Sequence, residues 1–80
     1  MTPQPTPAHP GQIEFVDGNT GKVTRVAKAA EVPEALRFAP TDKGLVPVVK
    51  VVATVEGERR TIREYGPAGE VLRSTVQVSR

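Results

Sequence analysis

The chain has 80 residues, a formal net charge of +2 and a pI near 9.4. A chain this short buries only about 60–65% of its unfolded surface. With no Cys and a single His, neither a disulfide framework nor a Cys/His zinc site can brace it. The excess of positive charge falls short of the dense basic surface of a dedicated DNA binder.

Phe15, Phe38 and Tyr65 are the only aromatic residues and Trp is absent, so the expected core is Val, Ile and Leu. Residues 1–40 hold four basic and four acidic groups, and residues 41–80 hold seven and five, so the basic excess lies in the second half. No apolar run approaches the roughly 18 residues of a membrane span. The start lacks the charged and apolar regions of a signal peptide. The expected location is cytoplasmic.

Residues 1–11 read MTPQPTPAHPG. Prolines lack an N–H and restrict the residue before them, so this stretch is expected to be a flexible, Pro-rich arm. Gln12–Asp17 and Lys22–Lys28 then form a hairpin around Gly18-Asn19-Thr20-Gly21, with Gly21 left-handed. The expected register sets Asp17 opposite Lys22. Val16 then faces Val23, Phe15 faces Thr24, Glu14 faces Arg25 and Ile13 faces Val26, which yields two opposite-charge pairs and two apolar pairs.

Pro33 suits the first position of a short helix, and Glu34-Ala35-Leu36-Arg37 favours helix. One or two turns cannot stand alone, so Val32, Leu36 and Phe38 are the expected anchors. Residues 39–44 are expected to form a loop.

Leu45–Glu56 reads as one long strand. Its odd positions are all apolar, and its even positions are apolar at first and polar later. The odd face is the expected core face, while Val46, Val48 and Val52 on the even face suggest cover by another surface. Pro47 cannot donate to a ladder, so pairing should begin after it. Gly57 reverses the chain into the charged strand Glu58–Tyr65, on which Ile62 and Tyr65 are the inward candidates. Gly66-Pro67-Ala68-Gly69 is a turn with Gly69 at positive φ. A last strand follows with Leu72, Val76 and Val78 turned in and Arg73, Thr75 and Gln77 turned out.

The expected fold is all-β: a five-stranded bent antiparallel sheet or small SH3-like barrel, in the order β-β-α-β-β-β. It forms a single domain over residues 12–80 behind the arm.

Chemistry is sparse. Nucleophilic catalysis needs a nucleophile held by a base, and His9 lies in the arm. The acids Glu56, Glu58, Glu64 and Glu70 flank tight turns, where carboxylates are ordinarily solvated. Asp17-Gly18-Asn19 lacks the remaining ligands of a calcium loop. The two G-x-x-G stretches join strands and do not open helices, so they lack the helix N-terminus of a phosphate loop. No enzyme activity, metal, cofactor or small-molecule substrate is expected.

Two binding surfaces stand out. Val46, Val48, Val52 and Tyr65 suit a protein partner or self-association, in a small accessory or inhibitor module. The alternative is a nucleic-acid-binding barrel using Arg59, Arg60, Arg63 and Arg73, although such surfaces usually stack several aromatic rings.

Overall fold

A computed structural model describes residues 9–79. The expected flexible arm lies outside the described residues except for its last three. Those three are docked: the His9 Nδ1 accepts from the Gly11 N–H at 2.9 Å, and its ring packs edge-on against Phe38 at 5.8 Å. A ring nitrogen that accepts is unprotonated, so Nε2 carries the proton and donates to the Val48 carbonyl at 2.7 Å.

The fold is all-β, with seven strands among the described residues. They are β1 (Gln12–Asp17), β2 (Val23–Lys28), β3 (Phe38–Thr41), β4 (Gly44–Pro47), β5 (Lys50–Glu56), β6 (Arg59–Tyr65) and β7 (Val71–Val78). A 3-10 turn at Ala29–Glu31 and the helical turn α1 (Glu34–Arg37) lie between β2 and β3.

Five strands form one open sheet in the order β2-β1-β5-β6-β7, and β3 and β4 form a separate hairpin. The sheet is mixed because β1 pairs with β5 in parallel, where an all-antiparallel sheet was expected. Parallel neighbours need a long crossover, and here the chain from Gly18 to Val49 supplies it.

The expected long strand is split. Pro47 ends β4, the Val48 N–H donates to the Arg37 carbonyl at 2.7 Å, and the Val49 N–H donates to Tyr65 at 2.9 Å. Pairing with the main sheet therefore starts after Pro47, as its missing donor requires. Upstream, residues expected to be a loop form the tight hairpin β3–β4, in which Ala39 faces Val46 and Pro40 faces Leu45.

The first hairpin keeps its turn, with Gly21 at φ +78° and the Asp17 N–H bonded to the Lys22 carbonyl at 2.8 Å. Its register then shifts at a bulge. Val16 still faces Val23, but Phe15 faces Arg25 and Ile13 faces Ala27. Thr24 is the extra residue, and its hydroxyl donates to the Phe15 carbonyl at 3.1 Å. One inserted residue exchanges the two faces downstream. Ala27 is thus buried and Val26 exposed, the reverse of the expected pairing.

In an antiparallel ladder, directly opposed residues share a face. The registers of β5, β6 and β7 therefore sort the side chains. The inner face carries Val51, Ala53, Val55, Arg60, Ile62, Glu64, Arg73, Thr75 and Gln77, together with Ile13 and Phe15 from β1. The outer face carries Lys50, Val52, Thr54, Arg59, Arg63, Tyr65, Ser74, Val76 and Val78. The β7 expectation is inverted: its polar residues line the inner face, and Val76 and Val78 stand on the outer one.

The core is thin. Among the described residues the buried apolar side chains are Ile13, Ala27, Val32, Ala39 and Val48. Ile13, Ala27 and Val32 form one cluster, flanked by Phe15 and Val51. It sits where the 29–37 segment folds over the inner face.

Candidate functional site

The segment over the inner face is short, and this leaves a recess beside it. Pro33 precedes α1 without an N–H to satisfy, and the Leu36 N–H bonds back to the Pro33 carbonyl at 2.9 Å. Arg37 Nε donates to the Val32 carbonyl at 2.6 Å, which ties the helical turn to its own entry. A single turn covers one end of the sheet and no more. Between it and the strands lies an open groove of about 490 Å³, lined by Ile13, Phe15, Leu36, Val51 and Ile62. The groove continues past the helical turn into a second recess of about 740 Å³ that shares Phe15, Val51 and Ile62 and adds Ala53 and Val55. Val55 is 50% exposed and Leu36 is 51% exposed.

Polar groups frame this apolar floor. Glu64 is only 7% exposed, and Arg73 grips it with a fork: Nε donates to Oε2, and Nη2 donates to Oε1 at 2.7 Å. These hydrogen bonds, aided by the charge of Glu64 and opposed by desolvation, hold the Arg73 guanidinium above its ordinary range. At the other side of the groove Arg25 lies 5.8 Å over the Phe15 ring. At the far end the Asn19 amide clamps Val55: Nδ2 donates to its carbonyl at 2.9 Å, and Oδ1 accepts its N–H at 2.8 Å. Thr75 and Gln77 complete the β7 wall.

The structure does not unite the residues singled out from the sequence. Val48 is fully buried in the link between β4 and β5 and is unavailable as a surface. The reason is the break at Pro47, which turns Val48 out of the strand pattern that placed it beside Val46 and Val52. Val46 lies on the separate hairpin, in a shallow recess beside Val71 and Leu72. Val52 and Tyr65 share the outer face, both half-buried, with the Lys50 ammonium 6.0 Å from the Tyr65 ring.

The arginines divide as well. Arg59 and Arg63 are on the outer face, Arg60 and Arg73 are on the inner face, and Arg73 is committed to Glu64. The groove residues Phe15, Leu36, Val51, Ala53, Val55 and Ile62 were readable only as core, because the odd-position pattern of β5 signals a buried face and is silent about how much of it is covered.

Among the described residues there is no cluster of three or more His, Asp or Glu placed to hold a metal ion. No helix among them is long and apolar enough to cross a membrane. No protein-family model, curated protein or solved structure matches the chain.

Proposed function

We propose that this chain is a non-enzymatic protein-interaction module that receives an apolar segment of a partner protein in the inner-face groove. The observation that supports it most directly is the uncovered strip Phe15–Val51–Ala53–Val55–Ile62 framed by polar groups. A contiguous apolar surface bordered by polar residues is the usual form of an interaction site. The Glu64–Arg73 fork and the Asn19 clamp fix the two ends of the groove, so its shape is set before a partner arrives, which lowers the ordering cost of binding.

The test is partner capture from host lysate with three variants. Val55→Lys and Leu36→Asp, both at exposed groove positions, are expected to abolish capture. Val52→Lys on the outer face is expected to leave it intact. Capture that survives both groove variants, with the folds verified by circular dichroism, overturns the reading.

The nucleic-acid alternative has less support, because Arg73 is neutralised and Arg60 points away from Arg59 and Arg63. It requires binding to single-stranded or duplex probes that falls steeply with salt, and a flat response at low salt removes it.

A further inference from the structure

The sheet has two edges, β2 and β7, and they are not alike. The β2 edge is short, bulged at Thr24, and carries Lys22, Arg25 and Lys28 at or beside the strand. Bulges and basic side chains are the ordinary means of discouraging strand addition. The β7 edge has eight residues, no proline and no lysine, and its one charge, Arg73, is already paired with Glu64. Ser74, Thr75, Val76, Gln77 and Val78 are all exposed.

The hydrogen-bond phase shows which groups β7 leaves unpaired. The Ser79 N–H donates to Glu58 and the Gly66 N–H donates to Glu70. With the β6–β7 register, this sets Arg73, Thr75 and Gln77 as the residues bonded to β6. In an antiparallel ladder the alternate residues point their backbone groups the other way. The N–H and C=O of Ser74, Val76 and Val78 therefore face outward, in a straight row.

The geometry points to a second copy of this chain as the occupant of that edge: β7 adds antiparallel to β7 of the partner about a two-fold axis at Val76, joining two five-stranded sheets into one of ten strands. In this register Ser74 opposes the partner copy's position 78, Val76 opposes its own counterpart, and all three outward N–H groups and all three outward carbonyls find partners. Arg73 falls opposite position 79, a serine, so no like charges meet. Thr75 and Gln77 pair across the inner face, and valines meet on the outer one. The overlap over residues 73–79 also stays clear of Leu72, where the β3–β4 hairpin lies beside β7. A strand-edge contact of this size belongs to the weaker class of interfaces. The pairing leaves the groove open and is independent of what the groove binds.

The test is the mass of the full chain by light scattering from about 10 µM to about 1 mM, a range that spans weak dimers. A concentration-dependent rise toward twice 8.6 kDa is expected. Val76→Pro removes an outward N–H and no β6–β7 hydrogen bond, and is expected to leave a monomer, with the Arg60 and Ile62 amides still protected from hydrogen exchange. Val76→Lys and Val76→Glu each place like charges opposite one another and are expected to weaken the dimer by roughly fivefold. An equimolar mixture of the two is expected to restore it, because position 76 meets itself only across this axis. If Val76→Pro unfolds, the charge pair decides alone. A wild-type monomer at about 1 mM, a dimer insensitive to position 76, or a mixture that fails to recover overturns the proposal.

Discussion

Glu64 and Arg73 are the pair whose loss should be felt most. A carboxylate this buried depends on its partner, and removing one member of a buried pair leaves an uncompensated charge. Arg73→Ala is expected to destabilise the fold by about 3 kcal/mol in urea unfolding, the low end for a broken buried pair because the Arg73 side chain is 36% exposed. Glu64→Leu with Arg73→Leu should recover most of that loss, since an apolar pair replaces the charges and no group is stranded. The raised pKa of Arg73 also carries a sign. Its contribution is complete at neutral pH and is lost only as pH climbs through the folded-state value, in strongly alkaline solution.

Gly18 is a second sensitive residue, for steric reasons. A Cβ there would collide with the Thr54 hydroxyl and lie 3.1 Å from the Ala53 carbonyl, the same carbonyl that accepts the Gly18 N–H at 2.7 Å. Gly18→Ala is expected to cost about 1–3 kcal/mol, as overpacking does, read as a lowered midpoint of thermal unfolding.

At the scale of elements, two interruptions decide what faces where. The Thr24 bulge puts Ala27 into the slot opposite Ile13, so Ala27→Val should overpack it and cost about 1–3 kcal/mol. Val26→Thr at an exposed position should change stability by less than about 0.5 kcal/mol. Reading both by denaturant midpoint separates the observed register from the unbulged one, which would reverse the two results. The break at Pro47 acts similarly on β4 and β5. It buries Val48, so Val48→Lys should unfold the protein where a surface substitution would be silent.

The alternation within β7 is measurable too. At concentrations low enough to keep the chain monomeric, the Thr75 and Gln77 amides should exchange slowly and those of Ser74, Val76 and Val78 quickly.

The molecule as a whole is a sheet with too little to cover it. Five buried apolar side chains among the described residues sit at one end of the inner face and at the junction with the β3–β4 hairpin. The rest of the apolar inner face forms the groove, and the β7 edge is left unpaired. Binding a partner to the folded state alone raises its stability in proportion to the logarithm of ligand concentration. The melting temperature is therefore expected to rise with protein concentration through β7 pairing and to rise again when a groove ligand is present. A melting temperature flat across a hundredfold change in concentration would contradict the first expectation.

Much of this was legible in the residues themselves. Alternation and β-branching marked β1, β2, β6, β7 and the apolar run of β5, but not the β3–β4 hairpin or the break after Pro47. Gly21, Gly57 and Gly69 marked the reversals and all take positive φ. Pro33 placed the helical turn, and the absence of Cys with a lone His excluded a disulfide framework and a Cys/His zinc site. These are local properties, set by backbone sterics and hydrogen-bonding capacity within a few residues. The tertiary structure alone decided the parallel pairing of β1 with β5, the docking of His9 on Val48, the exchange of faces at Thr24, and how far one helical turn covers the inner face. Each depends on contacts between residues far apart in the chain. A strand pattern states that a face is apolar, and only the packed molecule shows whether anything lies on it.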